Sequence, residues 1–331
     1  MKKTFLKVFL LLLAYFQIER VNAQITPQQA IAHLQKGINI GNTLDAPGGE
    51  TSWGQPLIKP YYFDDYKAAG FTAIRIPVTW ERHVDTIAPY AINPEFIARV
   101  EQVVDWGLSR GLYIILNCHH EDLIKKDYSP KNVARFEAIW NQIGTRFKNK
   151  SDHLLFEILN EPHPLSLANL NDLNKRIFKV IRKSNPTRII VYAGTEWSSD
   201  SELLKADIPK DKYLIANFHC YSPWTWVSGK DKNISWGTPA EKNEIKAIFD
   251  RVHNFFAPKG IPVMVNEYGC PAGKLQEWRV LFYKTYVENI RSHGFGSFAW
   301  DDGGDFKTYD RTGRKWIGGV QEVMTQSSGD R

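Results

Sequence analysis

Residues 153–163 read HLLFEILNEPH, and this segment decides the fold because it joins a buried strand to a polar end. The residues at 154–159 form a mostly apolar, continuous run, which is typical of a strand covered on both faces in a parallel sheet. The run stops at Asn160 and Glu161, directly before Pro162. An ionised carboxylate beside an apolar strand is unfavourable unless it is compensated, so Glu161 is a candidate functional residue.

Seven other segments share this length and hydrophobicity, and helical patterns separate them. The eight predicted strands cover residues 37–41, 72–77, 112–119, 154–161, 188–194, 213–221, 262–267 and 295–301. The helical patterns between them include residues 93–110, 132–148, 167–184, 239–257 and 274–293. Eight βα units in about 300 residues predict a closed (β/α)8 barrel, the TIM barrel of the α/β class, in a single domain. No G-x-G-x-x-G motif follows the first strand, which disfavours an open dinucleotide-binding sheet.

The first 23 residues are typical of a secretory signal peptide. Lys2, Lys3 and Lys7 precede an apolar stretch at 8–16, and the tripeptide at 21–23 fits the small-x-small cleavage rule. The apolar stretch is shorter than the roughly 20 residues that a transmembrane helix needs. We therefore expect a signal peptide at 1–23, export to the periplasm or the medium, and one domain at 24–331.

Charge and cysteine content exclude several classes of partner. The formal net charge is +6, but residues 1–23 hold four Lys or Arg and one Glu, so the rest of the chain carries +3. No cluster of basic residues stands apart from the acidic ones, so neither nucleic acid nor a membrane surface is indicated as a partner after cleavage. Cys118, Cys220 and Cys270 are too few for a disulfide framework, and we expect them to be apolar fillers at strand ends.

Polar and aromatic residues stand at the same end of six predicted strands. In (β/α)8 barrels, chemistry gathers at the carboxyl ends of the strands and in the loops that follow. The residues at these ends are Arg75, His119, His120, Asn160, Glu161, His219, Cys220, Tyr221, Glu267, Trp300 and Asp301. Chance would scatter such residues over both ends, so the sequence predicts one functional rim.

Glu161 and Glu267 end the fourth and seventh predicted strands, which face each other across the barrel mouth. Two carboxylates that flank a cleft are the equipment for cleaving a glycosidic bond. Arg75 would supply a positive charge and Tyr221 a hydroxyl, and both favour the ionised form of the glutamate that they contact. Strand six lies beside strand seven, so we expect Tyr221 at Glu267. This predicts Glu267 as nucleophile and Glu161 as acid/base, with Asn160 placed to bind a sugar hydroxyl.

Short motifs surround both glutamates and recur along the chain. ILNEPH surrounds Glu161, and VNEYG surrounds Glu267. Further segments are GINIGNTLDAP at 37–47, GFTAIRIPVTW at 70–80, GLYIILNCHHE at 111–121, NFHCYSPWTW at 217–226 and FGSFAWDDG at 295–303. Together these motifs resemble glycoside hydrolase family 5, within the clan of retaining (β/α)8 glycosidases, and are most similar to its bacterial endoglucanase branches.

The resemblance implies endo-hydrolysis of β-1,4-linked glucans by a retaining double displacement that needs no cofactor and no metal. By position, it implies that Arg75 supports the nucleophile and that Trp300 is a platform under the sugar being cleaved. The residues implied to line that sugar or to flank the two glutamates are His119, Asn160, His219 and Tyr221.

The eleven tryptophans sort by position. Those in helical patterns are expected in the core: Trp106, Trp140, Trp278 and Trp316. Those at strand ends or in loops suit stacking on the apolar face of a pyranose: Trp53, Trp80, Trp197, Trp224, Trp226, Trp236 and Trp300. Among these we predict Trp236 and Trp300 as sugar contacts. The other predicted substrate-binding residues are Asn42, Asp45 and His120, although Asn42 also suits a turn.

Three alternative functions remain open at this stage. Specificity depends on loop shape around the C2 hydroxyl, so an endo-β-1,4-mannanase or a mixed glucanase, mannanase or xyloglucanase fits the same residues. A non-catalytic carbohydrate-binding barrel and a metal-dependent hydrolase are the other two. The metal alternative rests on the run from Cys118 to Glu121, which includes His119 and His120, but adjacent side chains on a strand point to opposite faces. We expect a monomer that binds a polysaccharide or oligosaccharide.

Overall fold

The computed structural model describes residues 24–326. The predicted signal peptide at 1–23 lies outside the described residues, so its cleavage stays a prediction. Within the described range, no helix combines the length and the apolar character that crossing a membrane requires.

Eight parallel strands close into a barrel in the order β1 to β8. Closure is made by β1, in which Gly37 lies opposite Ala73 of β2 and Phe298 of β8. The strands are β1 (Gly37–Asn39), β2 (Ala73–Ile76), β3 (Tyr113–Asn117), β4 (Leu154–Glu157), β5 (Ile190–Ala193), β6 (Leu214–His219), β7 (Val263–Tyr268) and β8 (Gly296–Ala299). The predicted (β/α)8 barrel is confirmed.

Several predicted strands extend too far at their carboxyl ends. β4 ends at Glu157, so Asn160 and Glu161 belong to the following loop rather than to the strand. Ile158 and Leu159 are 1% and 4% exposed, although they lie outside the strand ladder. Buried loop residues have the same hydrophobicity as strand residues, and the pattern therefore overestimated the length of the strand.

Helices alternate with the strands and cover the barrel. In the described chain they are α1 (Pro27–His33), α2 (Pro60–Ala68), α3 (Pro94–Leu108), α4 (Asp122–Lys126), α5 (Pro130–Phe147), α6 (Leu167–Arg182), α7 (Asp200–Leu203), α8 (Trp224–Val227), α9 (Pro239–Phe256), α10 (Gln276–Ser292) and α11 (Val320–Thr325). Several begin with proline after a capping residue: Ser129 accepts a hydrogen bond from the Asn132 N–H at α5, and Thr238 forms a capping box with Glu241 at α9. A hairpin of β9 (Tyr309–Asp310) and β10 (Lys315–Trp316) follows β8.

Alternate strand residues point into the barrel and form layers. An apolar layer packs against Ala30 of α1 and against Leu34, the residue that follows this helix. Its strand residues include Ala73, Ile115, Leu155, Val191, Ile215, Met264 and Phe298. Two positions further along β2, β4 and β6 lie Arg75, Glu157 and Asn217, all buried. A polar layer therefore lies directly above an apolar plug, toward the carboxyl ends of the strands.

Candidate active site

Arg75 of β2 is the centre of the polar layer. Its buried guanidinium donates from Nε and Nη2 to the two carboxylate oxygens of Glu157, at 2.7 and 2.8 Å. It also donates to Asn39 Oδ1 at 2.8 Å, to Asn160 Oδ1 at 2.7 Å and to Glu267 Oε1 at 2.7 Å. Although burial acts to lower it, the pKa of Arg75 is raised by the carboxylates of Glu157 and Glu267. The guanidinium is therefore a fixed positive charge beneath the barrel mouth.

Glu267 lies near the end of β7 and is held by groups from three directions. Oε1 accepts from Arg75, and Tyr221 donates its hydroxyl to Oε2 at 2.9 Å. His219 Nδ1 of β6 lies 3.5 Å from the same Oε2. Because hydrogen bonds from a cation and a hydroxyl favour an ionised carboxylate, Glu267 has the contacts expected of a nucleophile. The structure thus places Arg75 and Tyr221 where the sequence predicted them.

Glu161 stands in the loop after β4, in a left-handed backbone conformation with a φ of 40°. Such outliers are uncommon for residues with a Cβ and cluster at functional sites. Its Oε1 lies 2.9 Å from His219 Nδ1, and its side chain is 28% exposed, compared with 6% for Glu267. One oxygen of Glu161 lies within 4.8 Å of one oxygen of Glu267. The two carboxylates therefore meet across the barrel mouth.

Glu161, Glu267 and His219 share hydrogen bonds and close contacts, so they titrate as one coupled group. Burial raises the pKa of Glu267, against the charges of His219 and Arg75. Although burial acts to raise it as well, the pKa of Glu161 is lowered by the hydrogen bond and charge of His219. A general acid at 161 would need a raised pKa, and a nucleophile at 267 would need a lowered pKa. The two pKa directions taken alone are therefore the reverse of those that these roles require. The roles therefore rest on the hydrogen bonds, since Arg75 and Tyr221 are bonded to Glu267 and not to Glu161.

His119 and Trp300 lie at the mouth with nearly parallel rings, whose centroids are 5.8 Å apart. The Val78 N–H donates to Asn117 Oδ1 at 3.1 Å, which leaves the Asn117 amide nitrogen to donate to His119 Nδ1, also at 3.1 Å. Burial lowers the pKa of His119 well below its usual value. The ring is therefore neutral with its proton on Nε2, and it offers one N–H donor. A Cβ added at Gly41 would lie 2.6 Å from the Trp300 indole, so only glycine leaves room for this ring.

The loop tryptophans divide differently from the prediction. The prediction that Trp236 contacts sugar is wrong, because this residue is only 2% exposed. Its ring packs against those of Trp226 and Phe282, whose centroids are 5.7 and 5.2 Å away. Trp80 and Trp226 are also buried in the core. Among the tryptophans predicted at strand ends or in loops, those with more than two fifths of their surface exposed are Trp53, Trp197 and Trp224, the last of which begins α8. The four tryptophans predicted in helical patterns pack on the core, as predicted, but Trp316 lies in the strand β10 and not in a helix.

The prediction that Asp45 contacts sugar is also wrong. Asp45 is fully buried, and its two oxygens accept the N–H groups of Asn42 and Thr43 at 3.0 and 2.7 Å. Burial raises its pKa to about 6, against these two bonds. The Asp45 carboxylate therefore stabilises the loop to which it belongs by accepting hydrogen bonds from the backbone of that loop. Asn42 itself is half-buried with a φ of 57°, and His120 packs edge-on against Trp53 at 5.5 Å, so both remain predicted sugar contacts.

The residues at 119–121 do not converge as ligands in the described structure. Glu121 accepts the N–H groups of Trp80 and Glu81 at 2.6 and 3.0 Å. Asp45, His119 and His120 do have atoms within 4.8 Å of one another. Because both Asp45 oxygens and His119 Nδ1 already have protein partners, this cluster is a hydrogen-bonded part of the loop rather than a set of free ligands.

Glu157 is a residue of the polar layer that sequence reasoning missed. It was absorbed into the apolar run of the predicted fourth strand. A charged residue in the middle of a strand buried on both faces requires a partner, and this is the signal that could have identified it. Its partner is Arg75.

Fold and site together define a class of protein. Two glutamates that face each other at the mouth of a (β/α)8 barrel are the arrangement of glycoside hydrolases. The family model that matches residues 38–305 is Cellulase (glycosyl hydrolase family 5), and the chain belongs to this family.

Known relatives agree with this assignment. Endoglucanase H of Acetivibrio thermocellus is 43% identical over 280 residues, which cover 84% of this chain and 31% of that protein. Endoglucanase B of Clostridium cellulovorans is 32% identical, over 84% of this chain and 69% of that protein. This chain thus spans about a third of the length of Endoglucanase H.

Solved structures of similar proteins superpose closely. The tri-modular family 5 (subfamily 4) endo-β-1,4-glucanase of Bacillus licheniformis gives a TM-score of 0.87 at 35% identity, covering 91% of this chain and 60% of that chain. Cel5A of Thermotoga maritima in complex with mannotriose gives 0.86 at 31% identity, covering 90% of this chain and 99% of that chain.

Proposed function

We propose that the protein is an endo-acting β-1,4-glucanase that hydrolyses cellulose-type or mixed-linkage β-glucan with retention of anomeric configuration. The observation that carries the proposal is the approach of one oxygen of Glu161 to within 4.8 Å of one oxygen of Glu267, with Arg75 and Tyr221 bonded to Glu267 and not to Glu161. Retaining enzymes hold their two carboxyl groups about 5–5.5 Å apart, whereas inverting enzymes leave about 6.5–9.5 Å for a water. Relatives named endoglucanases support a glucan substrate.

In the first step, Glu267 attacks the anomeric carbon while Glu161 gives its proton to the glycosidic oxygen. The bond to the leaving sugar breaks, and an ester forms between Glu267 and the retained sugar. Glu161 must hold its proton until then. His219 lowers the pKa of Glu161 in the free protein. The negative charge of Glu267 alongside acts in the opposite direction, and so does a sugar that displaces water from the cleft.

In the second step, water attacks the same carbon from the face that the leaving sugar has vacated. Glu161, now ionised, takes the proton of this water, and the ester to Glu267 breaks. Glu161 becomes a stronger acid once Glu267 is esterified, because the neighbouring negative charge has disappeared. The same residue therefore serves as acid and then as base.

Mannan is the second candidate substrate, since the Thermotoga maritima relative was solved with mannotriose as well as with cellobiose. Barley β-glucan, carboxymethyl cellulose, xyloglucan and galactomannan should be compared by reducing-sugar release and viscosity. We expect cleavage of the glucans, with viscosity falling before many reducing ends appear, and no cleavage by Glu161→Gln or Glu267→Gln.

Cleavage of galactomannan alone would overturn the glucanase proposal in favour of a mannanase. Binding of these polymers without cleavage by the wild type would favour the non-catalytic barrel. Activity lost on exhaustive chelation and restored by a divalent cation would favour the metal-dependent hydrolase.

We further propose that residues 1–23 direct export and are removed, and that the remaining chain acts as a monomer. The basic flank and the apolar stretch of the first 23 residues support export. Amino-terminal sequencing of the exported protein should begin at Gln24, and light scattering should give the mass of one chain. An amino terminus at Met1 would contradict the proposed cleavage, and the mass of a dimer would contradict the proposed monomer.

A further inference from the structure

Glu157 forms one end of a line of three charges beneath the cleft. Its residue surface is 1% exposed, and both of its oxygens are bonded to the guanidinium of Arg75. The opposite edge of the same guanidinium is bonded to Glu267 at 2.7 Å. One buried cation therefore serves two buried carboxylates, and only one of them faces the barrel mouth.

Arg75 is paired with one more carboxylate than is needed to neutralise its charge. Burying a further carboxylate is unfavourable, and Glu267 alone would already compensate the charge of Arg75. A carboxylate paired with an unshared guanidinium is strongly stabilised in its ionised form, and such stabilisation lowers its reactivity toward an electrophilic carbon. With two carboxylates on Arg75, each receives only part of the positive charge.

We propose that Glu157 is a positioning residue: it fixes Arg75 in the plane that reaches Glu267 and takes up part of its positive charge, so that Glu267 remains reactive. This inference rests on the proposed function. Glu157 itself does not face the cleft, and it acts entirely through Arg75.

The charged and titratable groups around Glu267 come from several elements. They are Arg75 from β2, Glu157 from β4, Glu161 from the loop after β4, His219 from β6 and Tyr221 from the loop after β6. Of these, Glu157 holds the bidentate bond to Arg75. Loss of its charge should leave the full charge of Arg75 on Glu267, which would then ionise at lower pH and attack more weakly.

The test is Glu157→Gln, which keeps the shape of the side chain and removes its charge. The matched control is Asp211→Asn, because Asp211 also accepts two bonds from one guanidinium, that of Arg182, at 2.7 and 2.9 Å, remote from the site. The substrate is an aryl cellobioside with a good leaving group, whose departure needs no proton from Glu161. The rate of its first step then reports on Glu267.

For Glu157→Gln we expect kcat/KM to fall at least about tenfold and its acidic limb to move to lower pH by about one unit, the size of shift that loss of one nearby charge produces. Asp211→Asn should leave both unchanged. An acidic limb that stays in place in Glu157→Gln, or that moves equally in Asp211→Asn, would overturn the proposal.

Melting temperatures of both variants show whether each is folded. Should Glu157→Gln not fold, Glu157→Asp decides, because it keeps the charge and only shortens the reach to Arg75. We then expect a lower kcat with an unmoved acidic limb; full activity or a moved limb would overturn the proposal. A wild-type protein that does not cleave the aryl cellobioside or the glucans would instead refute the proposed function.

Discussion

Two buried arginines at opposite ends of the barrel have different partners. Arg75, toward the carboxyl ends of the strands, is bonded to two carboxylates that raise its pKa against the effect of burial. Arg188, two residues before β5, donates to backbone carbonyls, and burial lowers its pKa to about 10. The carbonyls belong to Phe147, Lys150, Ser151 and Leu154.

The difference shows how one side-chain type serves two purposes. At the amino end, a guanidinium donates to four backbone carbonyls between the end of α5 and the start of β4, which stabilises the fold. At the carboxyl end, the same group holds two buried carboxylates, and one of them, Glu267, faces the barrel mouth. Substitutions at the carboxyl end should therefore reduce activity, and substitutions at the amino end should reduce stability. Barrel enzymes generally show this division.

The largest effect is expected from Glu267→Gln, which removes the proposed nucleophile. We expect kcat on barley β-glucan to fall at least about 10⁴-fold, as for other residues that form the covalent bond. The melting temperature at pH 7 should be unchanged or higher. Burial raises the folded pKa of Glu267 above its unfolded value, so stability is present below the unfolded pKa and is lost as pH rises through the folded pKa. Residual activity within tenfold of the wild type would break the assignment.

Arg75→Lys should have the next largest effect. An ammonium cannot reproduce the planar fork that reaches Glu157 and Glu267 together. We expect kcat to fall about 100-fold, the size of loss that misplacement of a reacting group by an ångström can cause. Steady-state kinetics at several pH values measure the fall in kcat. An unchanged kcat would show that a positive charge at position 75 is enough for activity and that the guanidinium geometry is not required.

Arg188→Lys is the counterpart at the other end of the barrel. Several hydrogen bonds to carbonyls are lost, each worth about 1 kcal/mol, so the free energy of unfolding should fall by about 2–3 kcal/mol. Urea denaturation followed by tryptophan fluorescence measures this change. Because the site is at the far end, kcat should equal that of the wild type, and a loss of kcat in the folded variant would erase the contrast between the two arginines.

Two tryptophan substitutions give the smallest effects. Trp197 is 55% exposed and stacks on His163 at 3.8 Å, two residues beyond Glu161. Trp197→Ala should raise KM for cello-oligosaccharides up to about tenfold, or 1.4 kcal/mol, with the melting temperature unchanged. Trp236→Phe should leave KM unchanged and destabilise the fold by about 1 kcal/mol. A raised KM in Trp236→Phe together with an unchanged KM in Trp197→Ala would instead indicate that Trp236 contacts sugar.

Much of the fold was predictable because each strand is a continuous apolar run bounded by helical patterns. Glu267 and Arg75 were predictable for the same reason: a charge at the end of such a run has few structural explanations. Glu161 was identified although its strand ends earlier, since the buried loop at 158–159 has the same hydrophobicity as a strand.

The remaining features depend on contacts that no local pattern contains. Trp236 looked like a cleft residue because it lies in a loop, but that loop folds back against Phe282 of α10. Asp45 looked free to bind sugar, but its partners are the backbone N–H groups of its own loop. Glu157 was visible in the sequence as a charge within a strand, yet its role required knowing where Arg75 points.

Proton NMR of the first products from a soluble β-glucan oligosaccharide tests most directly the claim that Glu161 and Glu267 act together across the mouth as a retaining pair. The account predicts that the newly formed reducing end appears first as the β-anomer, with the α-anomer growing only as the sugar mutarotates. Initial appearance of the α-anomer would mean that water attacks directly, and it would contradict the role of Glu267 as a nucleophile.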